Sequence, residues 1–186
     1  MAKQEFFLLI PAIIYGVALI DLLKVFGNNK IYWELLAWGS MLMVDIIVIW
    51  LELWAKLNLV ATDKWFFILV IIQAILFAQI AAVITPEEKD IDTKIYFHSI
   101  RKVFFLLISA TIVFNFLSQE FFYDDQRSEL IRPLILIMAL ACAFIDKIWI
   151  RTTSLVIIFG ILIKILISLW DLEHTAYYPS NTCTNG

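Results

Sequence analysis

The sequence predicts an all-α polytopic transmembrane helix bundle. Three observations carry this. Hydrophobic residues make up 62% of the 186-residue chain. Its mean hydropathy is +0.89, far above that of a soluble domain, which is about 45–50% apolar. The apolar residues also fall in runs of bilayer-crossing length, roughly 20 residues, too long for barrel strands. In lipid each backbone polar group must be satisfied internally, and a helix does this within one segment.

Six spans are expected, with five as the alternative count. The first covers residues 6–26. It starts like a signal peptide, with Lys3 ahead of an apolar run, but no small-x-small cleavage site closes the run. It is therefore read as a retained span. Gly27-Asn28-Asn29 supplies a turn before the second span, 31–54. The third covers 65–84, with Thr62 or Asp63 as N-cap.

Thr85-Pro86-Glu87-Glu88 carries a helix-start signature, Thr as cap and Pro at the first position. It predicts a short interfacial helix, and residues 87–102 suit a headgroup-level segment. The fourth span follows at 103–123, then a charged loop from Asp124 to Glu129. The fifth, 133–150, is short and holds Asp146 and Lys147 near one end. If those two mark a loop, the helix is shallow or re-entrant and five spans remain. The sixth is 152–170, capped by Thr152, Thr153 or Ser154. Trp33, Trp54, Trp65, Trp149 and Trp170 fall at span ends as an aromatic belt. Residues 1–173 thus form one bundle, and 174–186 a polar, disordered tail.

Composition excludes several functions. The net charge is −3, and the basic residues form no patch of the kind nucleic-acid binding needs. Cys142 lies in an apolar run and Cys183 in the tail, which makes neither a disulfide framework nor a metal site. His98 and His174 lack companion ligands at suitable spacing. No cofactor is expected. There is no Ser-His-Asp set, HExxH or phosphate loop, so enzymatic activity is the least supported class.

The candidate site is a stripe of carboxylates. Glu34, Asp45 and Glu52 are 11 and 7 residues apart, which returns each within about 20° of one helix face. Asp45 lies near mid-span, where a charge costs roughly 3 kcal/mol or more. Either it is a proton or cation site with Glu34 and Glu52 at the mouths, or it is a buried pair with the end carboxylates as interfacial residues. Lys164, just past the centre of the last span, is its natural partner; the alternative is that Lys164 snorkels to the interface. Gln73, Gln79 and Asn115 add polar groups at depth, as helix-joining contacts or as pore contacts. Asp21 and Lys24 form an interfacial pair.

The string Asp92 to Phe105 combines Tyr96, Phe97, His98, Arg101 and Lys102 at a membrane boundary. It reads as an interface anchor or as a contact for an anionic headgroup or partner. Together with Glu5-Phe6, the run Ile14 to Leu23, Tyr32-Trp33 and Trp65-Phe66-Phe67, it resembles a widespread, uncharacterised family of small bacterial multi-pass membrane proteins of about six spans. The resemblance implies a helical bacterial membrane protein. It implies no activity and no functional residues.

The expected location is therefore a bacterial inner membrane. The odd-numbered connections hold Lys24, Lys30, Lys89, Lys94, Arg101, Lys102, Lys147 and Arg151, against Lys3, Lys56, Lys64, Arg127 and Arg132 on the other side. This bias favours odd connections in the cytoplasm. Two functions fit: an ion- or proton-conducting, transport-like component built on Asp45, Lys164 and Gln73, or a sensor, scaffold or effector subunit with a soluble partner, as in stress or antiviral systems, using Tyr96, His98, Arg101 and Lys102. A homo-oligomer would let the polar face complete itself across subunits.

Overall fold

The computed structural model describes residues 3–27, 32–55, 63–88, 91–118 and 128–177. They form six α-helices: α1 (Lys3–Phe26), α2 (Trp33–Ala55), α3 (Lys64–Ile84), α4 (Thr93–Leu117), α5 (Ser128–Phe144) and α6 (Ile148–Tyr177). No strand occurs among the described residues. α1, α2, α3, α4 and α6 are long and apolar enough to cross a membrane; the apolar part of α5, Pro133–Phe144, is shorter. Asp146 and Lys147 lie in the break between α5 and α6. The chain has the architecture of a multi-pass membrane protein.

The helices close a ring in the order α1, α3, α4, α5, α6, α2, and α2 also reaches inward to α3 and α4. This gives α2 more helix neighbours than any other element. Its buried residues, Leu35, Trp38, Leu42, Ile46, Ile49 and Leu53, recur every three or four positions and form the inward stripe of a 3.6-residue helix. Trp38 meets the edges of Phe104 and Phe105 on α4, at ring centroids of 6.1 and 4.9 Å. Phe97 continues the cluster at 6.2 Å from Phe104. Edge-on geometry aligns each ring's positive rim with the next ring's negative face.

α3 starts where Asp63 accepts hydrogen bonds from the amides of Trp65 and Phe66. The Thr85 signature resolves differently from its sequence reading. Thr85 is the C-cap of α3, its amide bonded to the Ala81 carbonyl, and no helix starts there. α4 instead starts at Thr93, capped by Asp92, which accepts from Lys94 and Ile95 amides. Residues 93–102 are therefore the first turns of the spanning helix, not a separate interfacial segment before residue 103. A Pro that favours a helix start also favours a helix stop; here the Val83 and Thr85 carbonyls at the end of α3 accept from the Tyr96 hydroxyl.

The end of the bundle that holds the α1–α2, α3–α4 and α5–α6 connections is tied by polar contacts. The Tyr32 amide donates to Thr93 Oγ1 at 2.9 Å. The Tyr96 hydroxyl lies 2.8 Å from the Val83 carbonyl and 3.1 Å from that of Thr85. The Thr85 hydroxyl lies 3.0 Å from the Asp21 carbonyl. Trp33, Trp54, Trp65 and Trp149 are exposed at helix ends, where amphipathic rings sit at headgroup level. The side chain of Trp170 and the tail beyond residue 177 lie outside the described residues.

Burial separates two kinds of tryptophan. Trp38→Ala is expected to lower stability by about 3–5 kcal/mol, because the ring is 1% exposed and packed on Phe104 and Phe105. Trp65→Ala, on an exposed ring, should change it by less than about 0.5 kcal/mol. Reversible unfolding of the two variants in detergent micelles checks the contrast.

Candidate functional site

At the tied end, four charged side chains form an alternating chain. Glu34, in the first turn of α2, is 1% exposed. Arg151, in the first turn of α6, is 2% exposed and grips it with two bonds, Nε to Oε2 at 2.8 Å and NH2 to Oε1 at 3.3 Å. The remaining Arg151 nitrogen, NH1, donates to Asp146 Oδ1 at 3.0 Å. Arg101 on α4 donates to the same Asp146 oxygen through its own NH1. The order is Glu34, Arg151, Asp146, Arg101, and the net charge is zero. The fork of a guanidinium matches a carboxylate geometrically.

The chain joins α2, α4, α6 and the α5–α6 break. Tyr32 adds a phenol at its rim. Burial, then the hydrogen bond and charge of Glu34, raise its pKa above the ordinary 10, against the opposing effect of Arg151. Tyr32 thus stays a neutral donor at physiological pH. Arg101 keeps one unmet requirement, since its buried Nε has no hydrogen-bond partner.

Asp45 lies elsewhere. It is half-buried near the middle of α2. Glu34 and Arg151 fix α2 and α6 as parallel neighbours starting at the same end. Eleven residues beyond Glu34 is Asp45, and eleven beyond Arg151 is Leu162. Leu162 is buried and Lys164 is exposed. Two helical steps rotate a side chain by about 200°. Lys164 therefore shares roughly the depth of Asp45 but points away from the bundle. No ion pair joins Asp45 to Lys164, and among the described residues none joins Asp45 to any other cation.

The other sequence candidates are distributed as follows. Gln73 donates to Asn115 Oδ1 at 3.2 Å, joining α3 to α4, while its own Oε1 is buried without a partner. Glu52 is half-buried on the stripe of Asp45. Lys24 contacts Asp21 at 2.5 Å. Of the boundary string, His98 and Lys102 are exposed, whereas Arg101 is drawn into the charge chain and the Tyr96 hydroxyl is held by α3 carbonyls. Among the described residues no three His, Cys, Asp or Glu side chains converge to hold a metal. Surface grooves between α4 and α5 and between α1 and α2 are lined by residues such as Ile112, Phe116, Leu19 and Ile47, and no charged side chain enters either.

In the sequence alone Arg151 and Asp146 read as boundary charges. The signal was present in α6. Arg151, Ser154, Ile158 and Leu162 are spaced three or four apart, so Arg151 continues the inward face.

No protein-family model matches the chain, and no curated protein or solved structure is significantly similar to it.

Removing one partner of a buried ion pair strands the other. Arg151→Met is expected to cost about 3–5 kcal/mol, and the double change Glu34→Leu with Arg151→Met should recover most of that loss. Unfolding free energies of the two variants in micelles test this; a double variant as weak as the single one contradicts it.

Proposed function

We propose that this membrane protein is an ion- or proton-handling, transport-like component in which Asp45 is the exchanging group. The observation that supports this is a carboxylate near the middle of a membrane-length helix, half-buried, with no cation partner among the described residues. A carboxylate at that depth needs neutralising, by a proton or a bound cation. Asp is too short to carry its charge to the interface. A second buried oxygen, Gln73 Oε1, also lacks a partner, and Glu52 continues the stripe towards the far end of α2.

Glu34 has a different part. Held by two bonds from Arg151, it is a fixed structural charge rather than a mouth. The candidate path therefore narrows to Asp45, Glu52 and the Gln73–Asn115 pair. The location that goes with this function is a bacterial inner membrane, with the charge-chain end in the cytoplasm.

Flux in proteoliposomes tests the proposal. With proton and alkali-cation gradients imposed, wild-type protein should dissipate one of them, and Asp45→Asn should fall to the level of protein-free vesicles. Equal flux in Asp45→Asn and an active wild type removes Asp45 from the role. No flux from the wild type removes transport and leaves the sensor or scaffold alternative, with exposed His98 and Lys102 as the contact surface.

A further inference from the structure

We propose that Arg101 and Arg151 form a phosphate-binding site at the membrane boundary, and that Asp146 occupies it as an internal stand-in for the ligand. Both guanidiniums reach one atom, Asp146 Oδ1, through their NH1 groups. The side chains of the two arginines are 8% and 3% exposed, while that of Asp146 is 65% exposed. The cations are thus at the floor of the site and the anion at its outer surface.

Asp146 is an incomplete ligand. It offers one oxygen to two guanidiniums, and the Arg101 Nε beside it stays buried and unpartnered. A phosphate group brings at least two charged non-bridging oxygens and matches guanidinium forks, so it can engage the remaining donor as well. Without Asp146, the buried residues Arg101, Arg151 and Glu34 carry a net charge of +1, which calls for an anion. Asp146 is also positioned to leave. It belongs to the break between α5 and α6, directly ahead of the α6 N-terminus, where the helix end itself favours an anion.

The surroundings point to a phosphate in or near the headgroup layer. Exposed Trp33 and Trp149 are at the same end of the bundle, and exposed Lys102 and Lys147 add positive charge. The phosphate chemistry is shared by an anionic lipid headgroup and by free phosphate, and the two are separable by experiment.

The full chain in neutral detergent is titrated with phosphatidylglycerol in mixed micelles, with inorganic phosphate, and with uncharged diacylglycerol as control, following binding by calorimetry. Asp146→Asn removes the internal competitor while keeping the size of an exposed side chain, and its helix content is matched to wild type by circular dichroism before titration. It should tighten phosphate binding on the order of tenfold, the worth of one charge-assisted hydrogen bond. Arg101→Lys, which keeps the charge but removes Nε, should weaken it. Saturable binding of the lipid alone assigns the headgroup as ligand, and of phosphate alone a soluble source. Binding that Asp146→Asn leaves unchanged or weakens, or binding of neither phosphate probe above the diacylglycerol control, overturns the site.

Discussion

The fold depends on one buried contact, the two-bonded grip of Arg151 on Glu34. In lipid, apolar surfaces gain little by leaving hydrocarbon for one another, so helices associate through close packing and polar bonds. Here the bond joins the helix with most neighbours, α2, to the last one, α6, and sets both starting ends at one level. Each ion alone would be costly to bury. Together, with Asp146 and Arg101 extending the chain, every charge has an opposite neighbour. The aromatic cluster of Trp38, Phe97, Phe104 and Phe105 lies between the same α2 and α4. Packing and charge therefore reinforce each other at one end of the bundle.

The far half of the bundle is held by other means. Gln73 and Asn115 supply a polar tie between α3 and α4, and otherwise packing dominates, as with Ile46, Ile49 and Leu53 on α2. Polar density is thus lopsided along the membrane normal. One end is stitched by hydroxyl and guanidinium contacts across several helices; the middle contains a carboxylate without a counter-charge among the described residues.

Fold class and depth were legible in the sequence, and azimuth was only partly so. Run length, tryptophan placement and caps such as Asp63 are local properties, and the structure expresses them locally. Depth follows from counting along a helix, which is why Asp45 and Lys164 were expected at a common level. Whether they meet depends on which face α6 turns inward, and that is set by Arg151, a residue whose position near a span end disguised it as a boundary charge. Thr85 shows the same limit at smaller scale. Its hydroxyl and the following Pro suit a helix start or a helix stop, and the stop is met by contacts from distant residues, the Tyr96 hydroxyl on α3 carbonyls and the Asp21 carbonyl on Thr85. Arg101 shows it again, since a basic residue beside Lys102 reads as one of a solvent-facing pair until α5 and α6 bring Asp146 onto it.

Two consequences follow from moving the arginines inward. Arg101 and Arg151 are neutralised by Asp146 and Glu34, so the charge bias between the two membrane faces rests on lysines such as Lys102 and Lys147. The other consequence concerns mid-membrane charge. Lys164 lies six residues before Trp170, which ends the apolar run of the last span, about 9 Å along the helix. Its four-carbon stem carries the ammonium much of that way toward the headgroups. Asp45 has a single methylene and lies near the centre of its window. Equal depth and opposite charge made these residues look like natural partners. Side-chain length makes them unequal: the lysine can extend toward the interface from a lipid-facing position, whereas the aspartate can be neutralised only by what comes to it.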